Sequence, residues 1–178
     1  MHPKSVARVI AAVPVLLLAL VSCSDDGHDE EKQRDYATPT SLCGTPVDAD
    51  ELSKFLPPGK KVTVKETVAT SRASRCAVSV DGKAVVYTAQ EWWNDMSVLN
   101  FAQGLTEETP EHRTDDGRYA YADKQGFGKT TDCHNSKHSD QVLFTAVQAT
   151  RSDHEDAEAM LKLISGYTKE VEASSSCT

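Results

Sequence analysis

Asp140-Gln-Val-Leu-Phe-Thr-Ala-Val-Gln-Ala-Thr150, followed by Ser152-Asp-His-Glu-Asp-Ala157-Glu-Ala-Met160-Leu161-Lys-Leu-Ile164-Ser-Gly-Tyr167-Thr-Lys-Glu-Val171, decides the fold. The first run is apolar on both alternating sets: Val142, Phe144 and Ala146 on one, Leu143, Val147 and Ala149 on the other. A strand with two apolar faces belongs inside a sheet and not at its edge. The second run changes period. Ala157, Met160, Leu161, Ile164, Tyr167 and Val171 recur at helical spacing along one face, with Lys162 and Lys169 pointing elsewhere. Ser152 with Glu155 three residues on predicts a capping box at its start. An interior strand followed by an amphipathic helix requires a sheet with that helix laid on it.

Working outward, Gly117 to Ala122 and Phe127 to Cys133 read as a strand pair around Asp123-Lys124-Gln125-Gly126. Thr106 to Asp116 is polar, contains Pro110 and reads as a loop. Asn94 to Gly104 reads as a short helix presenting Met96, Leu99 and Phe101 or Ala102. Arg75 to Val80 and Lys83 to Trp92 flank Asp81-Gly82, the strongest hairpin signal in the chain. Lys61 to Thr70 is rich in β-branched residues and reads as a further strand. Val47 to Leu56 reads as a short helix with acids in its first turn and Pro57-Pro58-Gly59 as its stop. The expected domain, residues 41–178, is α+β: a mainly antiparallel sheet with an N-terminal short helix and a C-terminal amphipathic helix packed on it, covered on one face.

The chain has 178 residues, of which 26% are charged, 39% apolar and 6% aromatic, so the core should be small and aliphatic. A net charge of −8 argues against nucleic acid as a partner, because phosphate binding needs clustered positive charge. It also argues against an electrostatic grip on an anionic membrane surface.

The N-terminus carries Lys4 and Arg8, an apolar run from Val9 to Leu20, then Leu20-Val21-Ser22-Cys23. A charged start, a short apolar middle and a small residue before a cut site mark a secretory signal. The run is shorter than the roughly 20 residues a membrane-spanning helix needs, and Pro14 interrupts it. Leu20-Val21-Ser22-Cys23 resembles the lipobox of bacterial lipoproteins. The resemblance implies a signal peptide at 1–22, diacylglyceryl attachment at the Cys23 thiol and a lipid-anchored position on the extracytoplasmic side of the cell membrane. Two acyl chains on one cysteine hold a protein stably without a spanning helix. Residues 23–40 are acidic and nearly free of apolar side chains, and are expected to form a flexible tether.

Without Cys23, four cysteines remain. An even number outside the cytosol implies disulfides, with three connectivities open. We favour Cys43–Cys76, tying the entry of the first helix to the hairpin, and Cys133–Cys177, clamping the end of the last helix to the sheet. Cys-x-x-Cys spacings of redox and zinc sites do not occur.

Gly126-Phe127-Gly128-Lys129-Thr130-Thr131 ends like a phosphate-binding loop, but Asp123 stands where that loop needs its first glycine, so a glycine-rich hairpin is the better reading. Cys133-His134-Asn-Ser-Lys-His138-Ser-Asp140 is the densest metal-capable stretch, with His154 as a third candidate; its turn-forming composition favours a solvated loop. Trp92 and Trp93 must face opposite sides of a strand, while Tyr119 and Tyr121 share a side. Exposed, these four would be ligand-binding aromatics; buried, they are the large pieces of the core. No nucleophile elbow, His-Glu-x-x-His or cofactor motif is present. A carboxylate-pair or histidine hydrolase remains open, because its groups need only meet in space.

Lipobox, acidic spacer, Leu42-Cys43-Gly44 opening a short helix, Cys76 on a strand, and Cys133 followed by a strand and a final helix together resemble the uncharacterised lipoproteins of high-GC actinobacteria. The resemblance implies compartment and anchoring. The expected role is a non-enzymatic binding or interaction module of the cell envelope, with an envelope protein or glycan as partner. A small cell-envelope hydrolase and a metal-binding lipoprotein are the alternatives.

Overall fold

The computed structural model describes residues 34–177. The expected signal peptide, Cys23 and residues 24–33 of the expected tether lie outside the described residues. Nine strands and three helices follow in the order β1 (Ser41–Leu42), β2 (Thr45–Pro46), α1 (Ala49–Lys54), β3 (Val62–Ala69), β4 (Ala73–Val80), β5 (Lys83–Asn94), α2 (Val98–Leu105), β6 (His112–Arg113), β7 (Tyr119–Ala122), β8 (Gln125–Lys129), β9 (Gln141–Gln148) and α3 (Ala157–Glu172). The fold is α+β, as the sequence implies. Seven strands form one antiparallel sheet in the order β3-β4-β5-β9-β8-β7-β6. β9 lies between β5 and β8, which is where a strand apolar on both faces belongs.

The Asp81-Gly82 hairpin forms as expected. Both residues have positive φ, 49° and 80°, the backbone of the two-residue turn that matches strand twist. The Asp81 carboxylate accepts from the backbone N–H groups of Lys60 and Lys61, so the turn also holds the entry to β3.

One face of the sheet carries α3 and α1. Met160, Leu163, Ile164, Tyr167 and Val171 of α3 pack with Leu52 and Phe55, and with Val78, Val86, Trp92, Leu143 and Val147 of the sheet. Burying each large side chain stabilises by about 1.5–3 kcal/mol. The helix sits close to β8 because that strand offers glycine at two same-side positions. A Cβ on Gly126 would lie 2.7 Å from Ile164 Cβ, and one on Gly128 would lie 2.4 Å from Thr168 Oγ1. The glycine-rich stretch is therefore a seat for α3. Beneath it, Thr145 and Thr168 pair their hydroxyls at 2.6 Å, and Thr168 donates to the Ile164 carbonyl.

Four expectations need correction. The sheet is covered on both faces: α2 packs Val98, Phe101 and Ala102 against Phe127, Phe144 and Ala146 on the side away from α3. Helix α3 begins at Ala157, not after a Ser152–Glu155 capping box. Its cap is Asp156, whose carboxylate accepts from Ala159 N–H at 2.9 Å. Ser152 instead accepts from His154 N–H, and Asp156 N–H donates to the Asp123 carbonyl, so residues 152–155 form a turn held against the β7–β8 hairpin. The second strand pair is shorter than expected and turns at Asp123-Lys124, while the loop before it contributes the edge strand β6. Finally, residues 34–40 lie on the domain where a tether is expected. Arg34 donates to the carbonyls of Ser53 and Leu56 at the end of α1, Asp35 N–H to Gly59, and the Tyr36 hydroxyl to Pro57. These bonds satisfy carbonyls that a helix end leaves open, which composition alone does not reveal.

Both favoured disulfides, Cys43–Cys76 and Cys133–Cys177, are formed. No helix among the described residues is long and apolar enough to cross a membrane.

Candidate ligand groove

Between β8 and β9 the chain crosses residues 131–140, and three adjoining depressions surround this loop. The largest, about 550 Å³, lies between the loop, the start of α2 and the turn before β7, and includes Asp95, Ser97, Arg118, Lys129, His134 and Ser139. A second, about 380 Å³, is lined by residues 133–136, His138, Ser139 and Gln141. The third, about 230 Å³, opens between the loop and the β3–β4 turn, with Trp92 and His138 in its wall.

The loop is fixed by side chains far away in sequence. Cys133 is bonded to Cys177 beyond α3, and Asn135 Nδ2 donates to the Ser176 carbonyl at 3.0 Å. Glu172 at the end of α3 accepts from Thr131 N–H at 2.8 Å and from Arg118 Nη2 at 2.9 Å. His138 closes the other end. Its ring stacks on Trp92 with centroids 4.5 Å apart and planes at 7°. Its Nε2 meets the Ser71 carbonyl and its Nδ1 the Gln141 side-chain oxygen, each at 2.8 Å. The Ser71 carbonyl accepts, so Nε2 donates to it, and the Gln141 amide, placed with its oxygen towards Nδ1, completes the pair by presenting whichever of its two ends matches that nitrogen.

The cations of the largest depression are matched. Lys129 Nζ meets Asp95 and donates to the Met96 carbonyl, and Arg118 pairs with Glu172. Asp116 is held below the usual carboxylate range, chiefly by the Thr114 hydroxyl. The groove thus presents many donors and acceptors and no unbalanced Lys129 or Arg118 charge.

At the opposite end of β8, a cleft of about 610 Å³ gathers Glu107, Glu108, Glu111, Asp123 and Glu155 around Lys124. Here Lys124 meets Glu155 at 2.9 Å, and its hydrogen bond holds that carboxyl below its usual range. A general acid needs the opposite shift. Gln125 donates to Glu108 and accepts from Gln148.

The four aromatics do not form one face. Trp92 is buried under His138, on the α3 side. Trp93 points the other way, edge-on to Phe101 of α2, and its indole N–H donates to Glu91 at 3.0 Å. Tyr119 is buried beneath the Arg118 guanidinium, and burial raises its phenol. Tyr121 is half-buried beside His112. Trp92 and Tyr119 belong to the α3-side core and Trp93 packs against the α2-side core, while Tyr121 is in neither.

The histidines are not brought together either. His134 is exposed, both ring nitrogens of His138 are engaged, and His154 packs edge-on to Phe55 at 5.5 Å. Among the described residues no group of three or more His, Cys, Asp or Glu side chains is placed to hold a metal ion.

Sequence reasoning misses the charges that frame the groove. Arg118 and Glu172 are 54 positions apart, and no local pattern links them. It also misses Glu91, a buried carboxylate that accepts from Arg75 Nε at 2.7 Å as well as from Trp93. A charged residue inside the run Ala89-Gln90-Glu91-Trp92 is the signal that could have found it. No protein-family model, curated protein or solved structure matches this chain.

Proposed function

We propose that this chain is a lipid-anchored, extracytoplasmic binding module of the cell envelope, and that the groove around residues 131–140 is its ligand face. The observation that carries the ligand-face reading is the way the groove is built. A loop pinned by a disulfide is edged by Lys129 and Arg118, each already paired with a protein carboxylate. Such a surface suits a polar ligand with little net charge, an envelope glycan or protein segment, held by hydrogen bonds.

Compartment and anchor rest on the residues around Cys23, supported by two disulfides of the kind that persist in oxidising surroundings. The protein is isolated from the membrane fraction of its native host, and its intact mass is compared with a Cys23→Ala form. A mass corresponding to acylated chain beginning at Cys23, and loss of the membrane fraction in Cys23→Ala, are expected. An unmodified thiol with residues 1–22 attached overturns the anchor. Crosslinking in intact cells then maps the contact face. Crosslinks at residues 131–140 support the groove, and crosslinks confined to other faces overturn it.

A further inference from the structure

We propose that the face of Trp92 is a stacking subsite for a sugar ring, and that the His138 side chain is its displaceable cover. The proposal rests on the reading of the surrounding groove as a ligand face.

Trp92 lies on β5 opposite Leu143 of β9, towards the Asn94 end of that pairing, and its indole is held from behind by the α3-side core. What lies over its ring face is one imidazole, parallel to it and 4.5 Å away. That imidazole belongs to a side chain at the end of a short 3-10 turn, Ser136–His138, on a loop whose neighbouring residues are exposed. Trp92 already borders the depression of about 230 Å³ on one side of the stack, and His138 borders both this space and the one of about 380 Å³ on the other. Rotation of His138 alone, with Cys133 and Asn135 still fastened, joins the two spaces over a flat aromatic floor.

The contacts of His138 describe what could replace it. It presents a flat face to an indole, an N–H to the Ser71 carbonyl and a second edge group to the Gln141 amide. A pyranose ring matches each feature. Its C–H face packs on an aromatic ring, a hydroxyl or acetamido N–H donates to a backbone carbonyl, and a second hydroxyl can either donate to or accept from a side-chain amide. Thr70, Ser74 and Asn135 at the rim of the smaller space are each bonded within the protein, which fixes the polar edge around the stack. Lys129 and Arg118 are already paired, and Lys137, which lines the smaller space, is exposed to solvent, so no buried cation demands an anion and a neutral ring suffices. A cover that must leave first reduces apparent affinity by the fraction of time it is open, so removing it should tighten binding.

The test uses the detergent-solubilised full chain carrying Trp93→Phe, which leaves Trp92 as the single indole. Acrylamide quenching of its fluorescence is compared with that of Trp93→Phe/His138→Ala, and both are titrated with chitotriose. Circular dichroism confirms that each is folded. We expect His138→Ala to raise the quenching constant at least threefold. We expect chitotriose to shift Trp92 emission in both proteins, with affinity at least fivefold tighter in the His138→Ala form. Unchanged quenching overturns the cover, as does equal affinity in the two proteins. An indole opened by His138→Ala but indifferent to millimolar chitotriose overturns the sugar subsite, and so does a response only to tyrosine- or histidine-containing peptides. None of these readouts depends on Cys23 or on the crosslinked face, so failure here and failure of the broader reading are separable.

Discussion

Gly128→Ala should be among the most damaging small substitutions in this protein, and its damage should be largely repaired by a second substitution on α3. The added Cβ would meet Thr168 Oγ1 at 2.4 Å, Thr145 Oγ1 at 2.6 Å and Tyr119 Cε1 at 3.2 Å. Neither hydroxyl can simply yield. Both threonines are fully buried, β-branched and bonded to each other, and Thr168 also donates to Ile164. The helix must therefore lift from β8, or the hydroxyl pair must break. Overpacking of this kind costs about 1–3 kcal/mol. A buried hydroxyl left without a partner adds about 1–3 kcal/mol. The single substitution should then cost about 2–6 kcal/mol, a large part of the roughly 5–15 kcal/mol that keeps a domain folded. For a domain of this size the melting temperature should fall by about 6–18 °C, at roughly 3 °C per kcal/mol.

Thr168→Ala alone removes one hydroxyl and one methyl and should cost about 1–3 kcal/mol. The double variant, however, has vacated the 2.4 Å contact. It should be more stable than the sum of the singles implies by about 2 kcal/mol, a coupling within the range seen for touching residues. Urea unfolding of the four proteins, with disulfides intact, gives the cycle directly. Additivity within about 0.5 kcal/mol would falsify the claim that α3 is seated on a glycine. A Gly128→Ala cost below about 1 kcal/mol would do the same.

Three further outcomes follow from separate features. Replacing both Cys133 and Cys177 with serine opens a loop of 44 residues and should cost about 4 kcal/mol by loop entropy. Limited proteolysis should then cut within residues 131–140, and an uncut loop would mean that Asn135 and Glu172 suffice to hold it. Phe101→Ala removes the only ring that stacks on Phe144 and edges Trp93 and Phe127 among the described residues, and should cost about 3–5 kcal/mol with a red shift of Trp93 emission. The Asp156 carboxyl is held below its ordinary value, chiefly by Ala159 N–H. A depressed carboxyl stabilises the fold above its unfolded value and loses that contribution as pH falls through its folded one. Between about pH 4 and pH 2 the wild type should therefore lose more melting temperature than Asp156→Asn, whose amide oxygen caps at every pH. Parallel pH profiles would contradict the capping role.

Much of the sheet was legible because local rules and tertiary demands agreed. Asp81-Gly82 can adopt the two positive φ values a tight hairpin requires, and the doubly apolar run at Val142–Ala149 had nowhere to go but the interior. The cysteine pairing was legible because each favoured partner closed an element that otherwise had a loose end. The capping error has the opposite cause. Ser152 and Glu155 satisfy the local spacing for a helix start, but the turn they occupy is held by the β7–β8 hairpin, so the helix begins only where Asp156 is free to cap it. The second helix-covered face was missed because α2 is short, and its buried side chains read as ordinary amphipathic spacing until Phe127 and Phe144 are seen opposite them.

The site was legible by residue and not by arrangement. The sequence marks Trp92 as a candidate binding aromatic and His138 as a candidate metal ligand, and nothing in it links the two. The structure gives them to each other, because β9 brings the loop before it alongside β5. This partnership also assigns rigidity within the groove. Cys133, Asn135 and Thr131 are fastened to the end of α3 by a disulfide and hydrogen bonds, and α3 is fastened to the sheet by its seat on Gly126 and Gly128. His138 is held only by its stack and two hydrogen bonds from a part-exposed position. A frame fastened at several points around one side chain held by three contacts is the arrangement in which a ligand would displace a single ring without unfolding a loop. On the proposed reading, the entropy of ordering the surroundings is lost at folding, and a ligand would have only the imidazole to move.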